Sequence, residues 1–189
     1  MATPQIVVIG TSLGGLNALE ILLDGLGSSY PLPIVIVQHR AKSRRELLSA
    51  VLRHHTKMKV LEPEDKEAME GSCVYIAPAD YHLLVEPGHF ALSLEPPVSY
   101  ARPSIDVLFE SAAGSYGAGV VSIVLTGNNS DGAQGAAYVK AAGGMVIVQD
   151  PAESESASMP RATMARVDVD HVLKLEEIAP FLRKLVDGK

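Results

Sequence analysis

The sequence predicts an α/β fold: a single doubly wound, mostly parallel sheet with helices on both faces and an appended β-hairpin. Runs rich in Val and Ile alternate with helix-type segments, which is the pattern of βαβ units. With 189 residues, 47% hydrophobic and 20% charged, the chain has the size and composition of one globular domain with a substantial core. No repeat or interdomain linker interrupts it, so we expect residues 1–189 to form one domain.

The first elements follow the βαβ pattern closely. Ile6–Ile9 forms the first predicted strand, and leucines at helical spacing over residues 16–26 predict the helix that follows. Ile34–Val37 is the second strand. Ser43 is well placed to cap a helix over residues 44–54, with the glutamate of a capping box three residues further on.

The middle of the chain changes character. Val74–Ala77, His82–Val85 and Phe90–Leu94 are short apolar runs typical of strands. The turn residues 86–89 separate the last two, which predicts a β-hairpin. A helix over residues 104–115 follows it.

The last third returns to alternating elements. The strand Val120–Leu125 leads through a polar loop to a helix of small residues, Ala133–Ala142, followed by the strand Met145–Gln149. Helix patterns over Pro160–Arg166 and Glu176–Val186 complete the chain.

Charge and composition argue against several function classes. The formal net charge is −6, and the basic residues are scattered except for Arg40, Lys42, Arg44 and Arg45, so nucleic acid is not an expected partner. That cluster is either a solvated helix start or a docking patch for an acidic partner. No apolar run approaches the roughly 20 residues that span a bilayer, and no secretory signal is recognisable, so we expect a cytoplasmic protein. Cys73, the only cysteine, is expected in the core.

Three strand-like runs end in polar residues that together could perform hydrolysis. Ser12 follows the first strand, His39 the second, and Asp131 the strand at Val120–Leu125 after a short loop. The carboxyl ends of parallel strands open onto one edge of a sheet, so residues distant in sequence can meet there. Serine, histidine and aspartate supply a nucleophile, a base and a carboxylate that orients the base.

Gly10–Gly14 fits the G-x-S-x-G pattern of a serine on a sharp turn between strand and helix. The alternative is a glycine-rich turn in which Ser12 only caps the helix. A dinucleotide or nucleotide site is a weaker rival, because Ser12 replaces a required glycine and the P-loop lysine is absent. We expect no cofactor.

A histidine at a strand end is more often a hydrogen-bonded structural residue than a base, and the position of His39 beside the serine unit is what favours a base. The spacing of the other histidines does not suggest zinc, so no metal is expected. Those histidines are His54, His55, His82, His89 and His171.

Asp131 precedes a glycine in a polar loop, where an aspartate commonly caps the next helix. Asp106, in a helical pattern, and Asp80, in a turn, compete with it for the third role. If Asp131 meets His39, Ser12 can attack an ester or amide carbonyl, with backbone amides near Leu13 or in the loop 127–130 holding the oxyanion. The chain order Ser, His, Asp differs from that of α/β-hydrolases.

Several separated motifs, in the same order, resemble the catalytic domain of the chemotaxis protein-glutamate methylesterases over nearly the whole chain. The matching segments are VIGTSLGG at 8–15, IVQH at 36–39, VYIAP at 74–78, DYHLL at 80–84, RPSIDVLF at 102–109, LTG at 125–127, DGA at 131–133, QD at 149–150 and MP at 159–160.

The resemblance implies a doubly wound α/β fold and a triad of Ser12, His39 and Asp131. It further implies that the protein hydrolyses glutamyl γ-methyl esters on the cytoplasmic helices of bacterial chemoreceptors, releasing methanol, with a further glutamine deamidase activity and contacts with other chemotaxis signalling proteins. Family members commonly carry an N-terminal receiver domain, and none is expected in this chain.

The chain departs from the family at two places, with Leu13 where threonine is usual and Asn128-Asn129 where Met-Gly is usual. Leu13 and Asn128 are nevertheless the candidate oxyanion residues. These departures motivate two alternatives: a catalytically weak adaptor that binds receptors or signalling partners, and an esterase for another substrate.

Overall fold

The computed structural model describes residues 2–39 and 47–187, and the seven strands of its main sheet all run parallel. The strands are β1 (Ile6–Thr11), β2 (Ile34–Gln38), β3 (Lys59–Leu61), β4 (Cys73–Ile76), β7 (Val120–Val124), β8 (Met145–Gln149) and β9 (His171–Leu173). Their order in the sheet is β3-β4-β2-β1-β7-β8-β9. The predicted parallel sheet is confirmed.

The predicted hairpin is also present, as β5 (His82–Glu86) and β6 (His89–Ser93). It forms its own two-stranded antiparallel sheet and does not extend the parallel one. Leu83, Val85 and Phe90 of the hairpin are fully buried in the apolar core on one face of the main sheet. The hairpin therefore packs as a cover on one face.

Six helices connect and cover the strands of the described chain. They are α1 (Gly15–Leu26), α2 (Leu47–Leu52), α3 (Ile105–Tyr116), α4 (Ala133–Ala141), α5 (Ser158–Arg166) and α6 (Leu175–Asp187), with a short 3-10 turn at Gly117–Gly119. The capping box predicted at Ser43 and the basic cluster at residues 40–45 lie outside the described residues.

The sheet separates two apolar cores. Alternate residues of each central strand face opposite sides, so that Val7 and Ile9 pack with α1, α2 and α6, whereas Ile6 and Val8 pack with α3, α4, α5 and the hairpin. Cys73 is buried in the second core, as predicted. A sheet covered on both faces leaves its carboxyl edge as the open region for a site.

One strand and one contact between helices were not predicted from the sequence. The strand β3 was not predicted, because three residues with alternating exposure give no clear pattern. The small residues of α4 bring it close to α3 as well as to the sheet: a Cβ at Gly135 would lie 2.6 Å from the Phe109 Cβ and 3.0 Å from the Asp106 Cα. This contact brings the beginnings of the two helices together beside the site.

Candidate active site

β1 is flanked by β2 and β7, the two strands that lead to His39 and Asp131. Thr11 pairs with Gln38, so the next residues, Ser12 and His39, leave the sheet side by side. The His39 amide continues this ladder by donating to the Thr11 carbonyl at 3.1 Å. On the other side the Ser12 amide donates to the Thr126 carbonyl at 3.0 Å.

A tight turn carries Ser12 into helix α1. The Gly15 amide donates to the Ser12 carbonyl at 3.0 Å, and Gly14 has φ 78° and ψ −2°, which is the third residue of a type II turn. Glycine is favoured at this position because φ is positive. The residue before the helix is Gly14, so the alternative in which Ser12 caps α1 is wrong.

His39 and Asp131 are joined directly. The His39 Nε2 lies 2.8 Å from the Asp131 Oδ2, and the side chains are 15% and 1% exposed. Ser12 and His39 both line an open crevice of about 570 Å³, together with Leu13, Gln38 and Glu155. All three predicted residues therefore lie at one edge of the sheet, although no hydrogen bond joins the Ser12 hydroxyl to the imidazole within the described chain.

Asp131 caps a helix, but not the helix that follows it. Its Oδ1 accepts from the Ser104 hydroxyl at 2.9 Å and the Asp106 amide at 2.9 Å, and its Oδ2 accepts from the Ile105 amide at 2.7 Å. These donors form the beginning of α3, whereas α4 begins after Gly132 without a side-chain cap from Asp131. One carboxylate thus joins the start of α3 to the imidazole.

The ionisation of Asp131 follows from these contacts. Burial acts to raise its pKa, but the hydrogen bonds from His39 and from the amides of Asp106 and Ile105 prevail, so the pKa lies below its usual range. The carboxylate is therefore charged at neutral pH, which is the form that can orient and stabilise an imidazolium.

The two competing aspartates have other partners. The Asp106 Oδ1 accepts from the amides of Gly132 and Gly135 at 2.9 and 2.7 Å, which caps α4. Burial, together with the charge of Asp131, raises the pKa of Asp106 to about 6. Asp80 forms an ion pair with Arg102 at 2.7 Å.

Gln38 supports the site in a way that the sequence analysis missed. Its Nε2 donates to the Ser12 carbonyl at 2.8 Å and to the His39 carbonyl at 2.9 Å, so one amide fixes both backbones. The signal for it was a polar residue at the end of an otherwise buried apolar strand.

Asn129 is the second residue whose role was missed. Its Nδ2 lies 3.0 Å from the His39 Nδ1, and its Oδ1 accepts from the Asp131 amide at 3.0 Å. The second bond fixes the orientation of the side-chain amide, so the N–H faces the ring. In the sequence, the residues Asn-Ser-Asp at 129–131 indicated only a turn.

The candidate oxyanion residues lie in two different loops. Leu13 follows Ser12 on the turn and is 52% exposed. Asn128 is exposed on the loop after β7, where its Oδ1 accepts from the Ser158 hydroxyl at 3.1 Å. The Gly127 amide is already bonded to the Ser156 carbonyl at 3.0 Å, which leaves it unsuited to hold an oxyanion.

Within residues 2–39 and 47–187, no group of three or more His, Cys, Asp or Glu side chains could hold a metal ion. No helix of the described chain has the length and apolar character needed to cross a membrane.

The chain is similar to known proteins in both sequence and fold. Residues 7–182 match the family model described as CheB methylesterase. A relative from Leptospira interrogans serogroup Icterohaemorrhagiae serovar copenhageni, named provisionally as a protein-glutamate methylesterase/protein-glutamine glutaminase, is 44% identical over 183 residues, which cover 96% of this chain and 94% of the relative.

A second relative, protein-glutamate methylesterase/protein-glutamine glutaminase 2 from Anaeromyxobacter dehalogenans, is 40% identical over 97% of this chain but only 54% of its own length. The crystal structure of the Thermotoga maritima CheB methylesterase catalytic domain superposes with a TM-score of 0.93 at 33% identity, covering 98% of this chain and 100% of that one. By sequence and by fold, the chain belongs to the CheB methylesterase family and is a hydrolase of carboxylic esters.

Proposed function

We propose that Ser12, His39 and Asp131 are the nucleophile, the base and the orienting carboxylate of a protein-glutamate methylesterase that acts on chemoreceptors. The observation that carries the proposal is the 2.8 Å contact between His39 and Asp131 next to Ser12, at the meeting point of three adjacent strand ends. The relatives' names support the substrate, a glutamyl γ-methyl ester on a protein.

The proposed reaction follows from which imidazole nitrogen is free to act. Nε2 faces Asp131, so Nδ1 must accept the proton of Ser12. The Ser12 Oγ attacks the ester carbonyl carbon, and the tetrahedral intermediate collapses when methoxide leaves with the proton from Nδ1 as methanol. Water then attacks the acyl-enzyme, again with its proton taken by Nδ1, and releases the glutamate carboxylic acid and Ser12.

Backbone amides of Leu13 and Asn128 are the proposed oxyanion donors. Leu13 lies in the turn at the start of α1, where amides and the helix dipole favour negative charge. Losing one such donor typically lowers turnover by about 10²- to 10³-fold. We further propose that the same site deamidates glutamine, since the attack is identical and ammonia replaces methanol as leaving group.

The proposed partners are the cytoplasmic signalling helices of chemoreceptors, which would place the reaction in the cytoplasm. The crevice is open along Ser12, Leu13 and Leu16 and can admit a side chain that remains attached to a protein. Contacts with other signalling proteins, and the assignment of residues 1–189 to one catalytic domain, stay predictions. Membership in an esterase family favours catalysis over the adaptor alternative.

Methanol release from methylated receptor tests the proposal. We expect release by the native chain and a loss of at least about 10³-fold in Ser12→Ala and in His39→Gln, because removing either group disables the triad as a unit. His54→Gln, at an exposed histidine that does not line the crevice, is the matched control and should retain activity. Equal release by Ser12→Ala and the native chain would rule out serine catalysis, and receptor binding without methanol would favour the adaptor.

A further inference from the structure

The Asn129 side chain contacts Nδ1 of His39, the ring nitrogen that must act as the base in the proposed reaction. A histidine with Nε2 held by a carboxylate can act as a base only through the lone pair on Nδ1. In this structure the Asn129 Nδ2 lies 3.0 Å from that atom, and the Ser12 hydroxyl is not bonded to it.

The orientation of the Asn129 amide makes this contact a donated hydrogen bond. The Asp131 amide donates to the Asn129 Oδ1 at 3.0 Å, so the opposite end of the side chain, which carries two N–H groups, faces the ring. Nδ1 must then be unprotonated, and the proton is on Nε2, facing Asp131. The imidazole has the tautomer that catalysis requires, but its lone pair is occupied.

The Asn129 side chain has space to move away from His39. It is exposed, whereas Asp131 is fixed by three donors from the start of α3. The neighbouring Gly127 lies against Ser12, where an added Cβ would be 2.9 Å from the Ser12 Cβ. The loop that carries Asn129 is therefore next to the nucleophile, and the side chain can leave the ring for solvent while the loop stays in place.

We infer that Asn129 is a positioning residue that holds the His39 base in a resting state, and that its side chain must release Nδ1 before Ser12 can be activated. The inference rests on the proposed triad. The amide occupies the Nδ1 lone pair of the resting site and restrains the rate of serine attack, because one hydrogen bond must be broken in each activation.

The experiment follows Ser12 directly, with a fluorophosphonate probe that needs no receptor. The Ser12 Oγ attacks phosphorus, fluoride leaves, and the serine proton passes to Nδ1. Asn129→Ser keeps a hydroxyl that can accept from the Asp131 amide but is too short to reach the ring. We expect it to be labelled about 3- to 10-fold faster than the native chain, the gain from not having to break one hydrogen bond.

Two further variants separate restraint from a merely structural role. Asn129→Gly should also be labelled faster than the native chain. Asn129→Asp should be labelled more slowly, because a carboxylate can only accept from the ring and favours a proton on Nδ1. If Asn129 only shaped the loop, Asn129→Ser would match the native rate and Asn129→Gly would be slower, and either result overturns the inference.

The labelling results that would refute the triad differ from those that would refute only the role of Asn129. Ser12→Ala and His39→Gln should abolish labelling in every background; labelling that survives both substitutions removes the triad and the inference together. Labelling that depends on both residues but does not rise in Asn129→Ser leaves the triad and removes only the inference.

The nitrogen NMR spectrum of His39 gives a second readout that needs no labelling probe. We expect the His39 Nδ1 resonance of an unprotonated nitrogen that accepts a hydrogen bond, and a shift toward the free-nitrogen position in Asn129→Ser. A native Nδ1 that carries the proton, or that already resonates as a free nitrogen, contradicts the inference.

Discussion

Asp131 shows how one residue can serve structure and chemistry together. Its two oxygens accept from three donors at the start of α3 and still contact His39. An aspartate in a turn before a helix is usually a cap for that helix. Here the carboxylate caps a different helix, and this leaves it pointing toward the imidazole.

The substitution Asp131→Asn removes the charge that orients His39. Asparagine has one carbonyl oxygen, so its N–H group must face either His39 and the Ile105 amide or the Ser104 and Asp106 donors. We expect methyl ester hydrolysis to fall about 10⁴-fold, as in other triads, together with a lower melting temperature, because a buried α3 amide loses its acceptor. Unchanged turnover would mean that Asp131 acts only as a cap.

Gly15 is a residue at which the site has no spare room. A Cβ there would lie 2.0 Å from the Gln38 Oε1 and 2.4 Å from the Thr11 Oγ1. Gly15→Ala should therefore displace the Gln38 amide that fixes Ser12 and His39. We expect turnover to fall about 10- to 100-fold, the typical effect of small misplacements of reacting groups.

Gly114→Ala is the matched control for this substitution. Gly114 is exposed in α3, and nothing lies within 4 Å of its added Cβ. Alanine is favoured over glycine within a helix by up to about 1 kcal/mol, so this variant should be as active and at least as stable. Equal turnover of Gly15→Ala and Gly114→Ala would contradict the role given to Gln38.

At the scale of elements, α3 and α4 cap each other. Asp131, just before α4, accepts from the first amides of α3, and Asp106, in the first turn of α3, accepts from Gly132 and Gly135 at the start of α4. This reciprocal capping places the two carboxylates close together, between the positive ends of α3 and α4. Their pKa values move apart, with that of Asp131 lowered and that of Asp106 raised to about 6.

This pair predicts a specific dependence of stability on pH. Between about pH 4 and 6, Asp106 is protonated in the folded protein and ionised in the unfolded chain, so the folded state binds more protons and stability falls as pH rises through this window. Asp131 acts in the opposite direction and loses its contribution only at lower pH, as the solution falls through its depressed pKa.

Asp106→Asn should remove the Asp106 contribution while its carbonyl oxygen still caps α4. We expect the free energy of unfolding of the variant to exceed that of the native chain by an amount that is absent at pH 4 and grows as the pH rises to 8. Urea unfolding at several pH values measures this. A difference between the two proteins that does not vary with pH would contradict the raised pKa of Asp106.

The elements were predictable where their pattern was long. The buried runs at Ile6–Thr11 and Val120–Val124 and the amphipathic α6 match their sequence patterns, and convergence of their polar ends follows from a parallel sheet. β3 was not predictable because three residues carry too little periodicity. Gln38, Asn129 and the crossed caps were missed because side-chain hydrogen bonds between distant loops leave no spacing in the sequence.

For the whole molecule, the position of the site in the strand order matters most. Ser12, His39 and Asp131 follow β1, β2 and β7, the three consecutive strands in the middle of the sheet. Those strands are covered on both faces, and all but one of their residues are buried. The reacting groups thus extend from the most enclosed part of the fold, which favours fixed geometry.

This arrangement predicts how protection against amide hydrogen exchange is distributed. Amides of β1, β2 and β7 should exchange only through global unfolding, because opening any of them breaks ladders on both sides. The edge strands β3 and β9 have three residues each and one neighbour, so they should exchange through local opening and at least about 10-fold faster. Amide hydrogen exchange of the native chain at neutral pH, followed strand by strand, measures the difference between central and edge strands. Comparable rates in the central and edge strands would show that the whole sheet opens as one unit, and the triad would then gain no particular rigidity from its central position.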